Sequence, residues 1–397
     1  MPISTEEYLR LLASFPSEGI QRKIAPFEAQ LDKASDHPFS YSLLLPDGNY
    51  RVTLTLGARQ RAAQTVVRAE SRRHFLDAVS TAKGKYQTVS FTVNKHSPRI
   101  DERNIVKLKP REWTYKNWDD SLTLTFCGPA PAVKSIRIEP DTTATTVFLC
   151  GNSTVVDQED EPWASWGQMI TRWLDDKVVV ANFAESGLSA TSFLAQLRLD
   201  KILTMLRPGD YVICEFGHND EKEKRAGDGA WYSYSRNLKI FADRVKEKGG
   251  NIIFVTPTAR RQFNSDHRTL AFTHGDYPAA MRQVAEREQV PQIELNGMTR
   301  SFYEALGEEG SKRALVHYPA NTFEGQDKPL ADNTHFNPFG AWEVAKMVVM
   351  GLKQMKCPLA DHLRPDWQDF DPAHPDDPQA FLWYMSGSGN ILKPDGN

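Results

Sequence analysis

A serine, a glycine, an asparagine and an Asp-x-x-His pair hold the chemical potential of this 397-residue chain, because each sits where one element gives way to the next. The apolar run Thr146-Val147-Phe148-Leu149-Cys150 ends in Gly151-Asn152-Ser153-Thr154. A second run, ending at Phe183, leads into Ala184-Glu185-Ser186-Gly187, and a third, Val212 to Phe216, ends in Gly217-His218-Asn219-Asp220. Far downstream, Asp332-Asn333-Thr334-His335 precedes an amphipathic segment. These groups suffice for acyl transfer. A serine hydroxyl becomes a nucleophile when a base takes its proton, which His335 could do. An Asp on the far ring nitrogen fixes the tautomer and stabilises the imidazolium, a role that suits Asp332. The Ser153 and Gly187 amides and the Asn219 side chain are candidate donors for the oxyanion.

Taken singly, each piece has a plainer reading: Ser153 as a helix cap, Asp-x-x-His as a capped loop, Gly-His-Asn-Asp as a polar turn. Their ordered occurrence at successive strand ends is what carries weight, since ligands of open α/β sheets bind beyond the carboxyl ends of the strands. After Pro140 the chain does read as α/β. Strand candidates are Thr146–Cys150, Lys177–Phe183, Asp210–Phe216, Asn251–Thr256 and Pro291–Leu295. Helical spacing links Trp166, Met169, Ile170, Trp173 and Leu174, then Leu238, Phe241, Ala242 and Val245, and finally Ala341, Val344, Ala345, Val348, Leu352 and Met355. Asn337-Pro338 is a helix start for the last of these. A mostly parallel sheet covered on both faces is expected. The nucleophile elbow G-x-S-x-G is missing, because Thr154-Val155 follows Ser153. His267 and His274 lack zinc-site spacing, and no metal site is expected.

Between about Phe39 and Pro140 the texture differs. Tyr50, Val52, Leu54 and Leu56 alternate with Arg51, Thr53 and Thr55 after the turn Pro46-Asp47-Gly48-Asn49. Similar runs at Gln64–Glu70, Tyr86–Val93, Ile105–Leu108, Ser121–Phe126 and Val133–Ile138 predict a β-sandwich. The expected organisation is a lead-in over 1–38, the sandwich over 39–140, the α/β unit over 141–357 and an extension over 358–397. A net charge of −3 provides no basic field for nucleic acid. No apolar stretch reaches the roughly 18 residues of a membrane span. Cys127, Cys150, Cys214 and Cys357 are scattered and read as buried free thiols. Met1-Pro2-Ile3-Ser4-Thr5-Glu6-Glu7 is no signal peptide. The expected compartment is cytoplasmic, or secreted or periplasmic where a leader has been removed.

In these motifs the chain resembles the SGNH (GDSL-type) hydrolases, whose hallmark residues are matched by Ser153, Gly187, Asn219 and His335, with Asp332 as the triad acid. Within that superfamily it is similar to the rhamnogalacturonan acetylesterases. The supporting segments are Trp163–Met169, Phe216–Asp220, Thr256–Arg261, His274–Pro278 and Asp332–Phe336. The resemblance implies a three-layer α/β/α fold, removal of acetyl groups from pectic polysaccharide, and no metal or organic cofactor. One departure is Gly151-Asn152-Ser153 where the family has Gly-Asp-Ser. Asn keeps an acceptor oxygen, loses the charge and gains a donor, so a modest cost is expected. The sandwich resembles galactose-binding-like modules. Its Trp113, Tyr115 and Trp118 could face a glycan or pack against the α/β unit.

Four further residues are candidate substrate contacts. His218 neighbours Asn219; Trp163 could stack on a sugar; Arg260 and Arg261 follow the fourth strand, and a guanidinium fork suits a galacturonate carboxylate. Their structural alternatives are a loop-holding histidine, a core tryptophan and internal ion pairs. Glu215, just inside a strand end, reads as a hydrogen-bonded structural carboxylate. The alternative functions are an SGNH esterase or lipase acting on another acyl ester, an esterase of another acetylated glycan such as xylan, and a non-catalytic pectin-binding protein.

Overall fold

The chain is described here by a computed structural model covering residues 26–387, 393 and 395. The part of the lead-in over residues 1–25 lies outside the described residues. The first unit contains the strands β1 (Phe27–Ala34), β2 (Phe39–Leu44), β3 (Gly48–Leu56), β4 (Ala63–Ala69), β5 (Arg73–Thr81), β6 (Gln87–Lys95), β7 (Ser121–Ala130) and β8 (Ala132–Pro140). They form two antiparallel sheets, β1-β8-β3-β6 and β2-β7-β4-β5. Alternation decides the faces. Tyr50, Val52, Leu54 and Leu56 of β3 are buried against Val67, Leu124 and Phe126 of the opposite sheet, while Arg51, Thr53 and Thr55 remain half-buried. Each such apolar side chain contributes about 1.5–3 kcal/mol on burial.

The second unit is a parallel sheet of order β10-β9-β11-β12-β13, with β9 at Thr145–Gly151, β10 at Val178–Asn182, β11 at Tyr211–Glu215, β12 at Asn251–Val255 and β13 at Gln292–Ile293. Successive strand residues point into two different cores. Val147, Leu149, Ile213 and Ile253 pack with helix α1 (Trp166–Met169) and other residues of one face, whereas Phe148, Cys150, Val212 and Phe254 pack on the other. The helices α2 (Ala190–Ala195), α3 (Arg198–Met205), α4 (Ser235–Glu247) and α5 (Tyr277–Arg287) cover the second face. Helices α6 (Leu295–Gly310) and α7 (Pro338–Gln354) cover the first. The fold is a three-layer α/β/α unit preceded by an all-β sandwich. From β9 the chain pairs first with β10 on one side and then crosses to β11 on the other. The order therefore reverses at β9, which opens a crevice at its carboxyl end.

A buried arginine joins the units. Arg73 of β5 donates to the Val180 carbonyl of β10 at 2.9 Å and to Asn117 at 2.7 Å, and its Nε faces Asp157 at 2.7 Å. Trp118 is also buried at this joint, edge-on to Phe183 at 5.6 Å, so it packs against the α/β unit.

The structure departs from the sequence reading in several elements. Strands β1, β2 and β5 were not expected. In β5 the consecutive residues Arg73 and His74 are both buried, so the apolar–polar alternation is erased. Ile105–Leu108 makes only an isolated bridge from Ile105 to Arg99. The helical stretch after Ser165 is split into α1 and a 3-10 turn over Ile170–Trp173. Asp332 and His335, expected on a loop, lie on β15 (Leu330–Phe336), which pairs as a hairpin with β14 (Leu315–Tyr318). All four cysteines are buried and free.

Candidate active site

Strand β9 ends by releasing Ser153 into the crevice. The turn is held by Asn152, whose Oδ1 accepts the Thr154 amide and hydroxyl, both at 3.0 Å. The Ser153 carbonyl is turned away, accepting Ser165 Oγ at 2.7 Å and Gln158 Nε2 at 2.9 Å. Ser153 Oγ lies 2.8 Å from His335 Nε2, and His335 Nδ1 lies 2.8 Å from Asp332 Oδ2. Strand geometry alone would send residues three apart to opposite faces. Here Asp332 Oδ1 accepts the Thr334 and His335 amides at 2.9 and 3.0 Å, and this local turn lets the two side chains meet. Burial raises the Asp332 pKa, but the His335 hydrogen bond, the His335 charge and the two amides outweigh it and hold the carboxyl well below its ordinary value. The arrangement can abstract a proton from Ser153 and hold the resulting charge.

Gly187 and Asn219 leave β10 and β11 on either side of β9. Gly187 has φ +79°, a left-handed conformation that glycine adopts without a Cβ penalty. Among the described residues, neither the Ser153 nor the Gly187 amide donates to a backbone carbonyl. Asn219 Nδ2 gives one hydrogen to the Leu188 carbonyl at 3.0 Å and keeps its second N–H. Behind the site, Glu215 is fully buried; Trp166 Nε1 donates to it at 2.5 Å and the Thr258 amide at 3.2 Å, and its Oε1 lies 2.8 Å from Thr154 Oγ1. From the end of β11 it braces the segments that follow β9 and β12.

The remaining predicted contacts are placed as follows. His218 is buried, its Nε2 3.1 Å from Thr258 Oγ1 and its ring edge-on to His274. Burial, together with the neighbouring His274 and Arg260, keeps it well below the ordinary histidine pKa. Trp163 is 1% exposed and presents no face for stacking. Arg261 is committed to Ser311 Oγ at 2.9 Å, Asn333 Oδ1 at 3.0 Å and the Glu308 carbonyl. Arg260 is ion-paired with Glu221 at 2.5 Å and donates to the His218 carbonyl at 3.2 Å. Among the described residues there is no His, Cys, Asp and Glu cluster suited to a metal ion.

The sequence reading passed over two cations that do reach the crevice. Lys109 Nζ donates to the Ser186 carbonyl at 2.6 Å, and Arg111 Nε donates to Glu185 at 3.0 Å. Both come from the connection between β6 and β7 of the sandwich, and the alternating basic residues Lys107, Lys109 and Arg111 were the available signal.

The chain is similar to several known proteins. The model of the GDSL-like lipase/acylhydrolase family matches residues 149–342. Rhamnogalacturonan acetylesterase RhgT of Bacillus subtilis (strain 168) is 40% identical over 219 residues, which are 55% of this chain and 93% of that protein. The uncharacterized esterase YxiM of the same organism is 26% identical over 354 residues, 88% of this chain and 82% of its own. The crystal structure of YxiM superposes with a TM-score of 0.49 at 24% identity, covering 80% of this chain and 81% of that one.

Proposed function

The chain belongs to the GDSL-like lipase/acylhydrolase family, and on that premise we propose that it is a carbohydrate acetylesterase that removes acetyl groups from rhamnogalacturonan through an acyl-enzyme on Ser153. The observation that carries the mechanism is the unbroken relay from Ser153 Oγ through His335 to Asp332, with both contacts at 2.8 Å. The pectic substrate is supported by the extent of the likeness to RhgT.

His335 Nε2 takes the Ser153 proton as Oγ attacks the acetyl carbonyl. Charge collects on the former carbonyl oxygen, where the Ser153 and Gly187 amides and Asn219 Nδ2 would receive it. Each such donor is worth about 10²–10³ in turnover. The imidazolium, stabilised by the ionised Asp332, then gives its proton to the departing sugar oxygen. Water, activated by the same His335, attacks the acetyl-enzyme and releases acetate. The sandwich, which with β1 begins at Phe27 rather than at 39 and runs to Pro140, serves as a galactose-binding-like accessory domain that buttresses this unit through Arg73.

The test is acetate release from acetylated rhamnogalacturonan and from acetylated xylan, using wild type and Ser153→Ala. Serine-dependent release from the pectic substrate is expected. Release from xylan alone would discard the pectic assignment and keep the mechanism. An undiminished rate in Ser153→Ala would remove the mechanism.

A further inference from the structure

A pectic substrate carries uronate carboxylates, yet the arginines that follow β12 do not offer a free cation: Glu221 neutralises Arg260, and Arg261 is bound within the fold. The cations that do border the oxyanion glycine are Lys109 and Arg111. In the structure a carboxylate already lies on them. Asp395 Oδ2 is 3.0 Å from Lys109 Nζ, and Asp395 Oδ1 is 3.3 Å from Arg111 Nη1, so each oxygen has its own cation. A Cβ built on Gly187 would stand 2.9 Å from the Asp395 Cβ and 3.0 Å from Lys109 Nζ, which fixes how close this carboxylate is to the Gly187 backbone. Two residues earlier, Lys393 Nζ is 3.9 Å from Asp332 Oδ2. Asp395 and Lys393 thus lie on the two flanks of Ser153.

The charges nearby are otherwise accounted for. Glu185 pairs with Arg111, and the neighbouring Glu112 is clamped by Arg198 at 2.6 and 2.7 Å. Among the described residues, the anionic partner of Lys109 is Asp395. Removing Asp395 would leave a half-buried ammonium beside a guanidinium, next to the point of ester cleavage. A carboxylate is the group that such a pair recognises.

We propose that Lys109 and Arg111 form a carboxylate subsite beside Gly187 that reads a uronic-acid carboxylate of the acetylated substrate, and that Asp395 is its internal occupant, competing with substrate for it. This rests on the pectic reading above and assigns the β6–β7 connection of the sandwich a part in specificity. The Arg111 pair with buried Glu185 also holds the fold, so Lys109 is the residue to change.

The probe is digalacturonate, ionised at pH 7, as an inhibitor of p-nitrophenyl acetate hydrolysis by the full chain, with xylobiose as the neutral control. Each inhibition constant is read against the same variant's uninhibited rate. Digalacturonate should inhibit wild type competitively, and xylobiose should do so at least about tenfold more weakly. Lys109→Met should weaken digalacturonate inhibition by about tenfold or more, Lys109→Arg should restore most of it, and Asp395→Asn should strengthen it severalfold. Equal inhibition of wild type and Lys109→Met, or none of wild type, overturns the subsite. Unchanged inhibition in Asp395→Asn overturns Asp395 as the competitor. If acetylated rhamnogalacturonan is not a substrate while Lys109-dependent inhibition persists, the subsite stands and the pectic reading falls.

Discussion

The Thr154 hydroxyl stands 2.8 Å from Glu215 Oε1 and 3.0 Å from Asn152 Oδ1, and its single hydrogen cannot serve both acceptors. The conflict disappears when Glu215 is protonated. Glu215 then donates to Thr154, which donates to Asn152. Burial, opposed by the Trp166, Thr154 and Thr258 hydrogen bonds, pushes Glu215 up to about 7, so the proton is available. A chain of donors thus runs from the sheet floor to the turn that presents Ser153.

Asn152 fits this chain in a way that an aspartate would not. Its Nδ2 faces the Glu215 carbonyl at 3.5 Å, where an Asp would place a second negative oxygen against a carbonyl and near a buried carboxyl group. Asn152→Asp should therefore lower stability by about 1–3 kcal/mol, seen as a melting temperature reduced by a few degrees. Acetate release should not increase. A sharp rise in kcat/KM would show that the departure from Gly-Asp-Ser is a handicap instead.

Glu215 also sets a pH dependence of stability. Its folded pKa lies above the ordinary 4.5, so the fold retains a proton that the unfolded chain releases. The contribution is full below about pH 4.5 and is lost as pH rises through about 7. For this buried group the total is on the order of 3 kcal/mol. Glu215→Gln mimics the neutral form and keeps the bond to Thr154, at the expense of the longer contact from the Thr258 amide. Melting curves at pH 5 and pH 8 should separate less in this variant than in wild type. Equal separation would mean that Glu215 is ionised throughout.

Legibility of the site followed the physics of each residue. Ser153, Gly187 and Asn219 could be named as candidates because an α/β chain delivers its strand ends in order, and residue type at a strand end is a local property. Asp332 and His335 were legible by type and spacing, but their strand was not, because β15 owes its existence to pairing with β14 rather than to its own pattern. Arg260 and Arg261 were found as cations. Their partners, Glu221, Ser311 and Asn333, come from distant segments that no local reading assembles. Lys109 and Arg111 escaped for the same reason, since the packing of the sandwich against β10 is what brings them to Gly187. The parallel sheet was read nearly strand for strand, whereas β5 was hidden because burying arginine and histidine leaves no hydrophobic signature.

That buried arginine makes the joint between the units testable. Arg73 and Asp157 are both fully inside, and Asp157 Oδ1 also accepts Asn182 Nδ2 at 2.8 Å, which ties the loop after Ser153 to β10. Burial pushes the Asp157 carboxyl up to about 7 even beside Arg73, so without Arg73 it must either remain a stranded charge or take up a proton, at a cost of about 3–5 kcal/mol. Arg73→Met should thus lower the melting temperature strongly, and Arg73→Lys should not rescue it, because one ammonium cannot reach Val180, Asn117 and Asp157 as the planar fork does. Adding Asp157→Asn to Arg73→Met removes the stranded charge and keeps an acceptor for Asn182, so the double variant should be more stable than Arg73→Met alone. The coupling is read from a double-mutant cycle of melting curves. Strictly additive losses would show that the two side chains act independently, and that the joint is held by apolar packing around Trp118 and Phe183 instead.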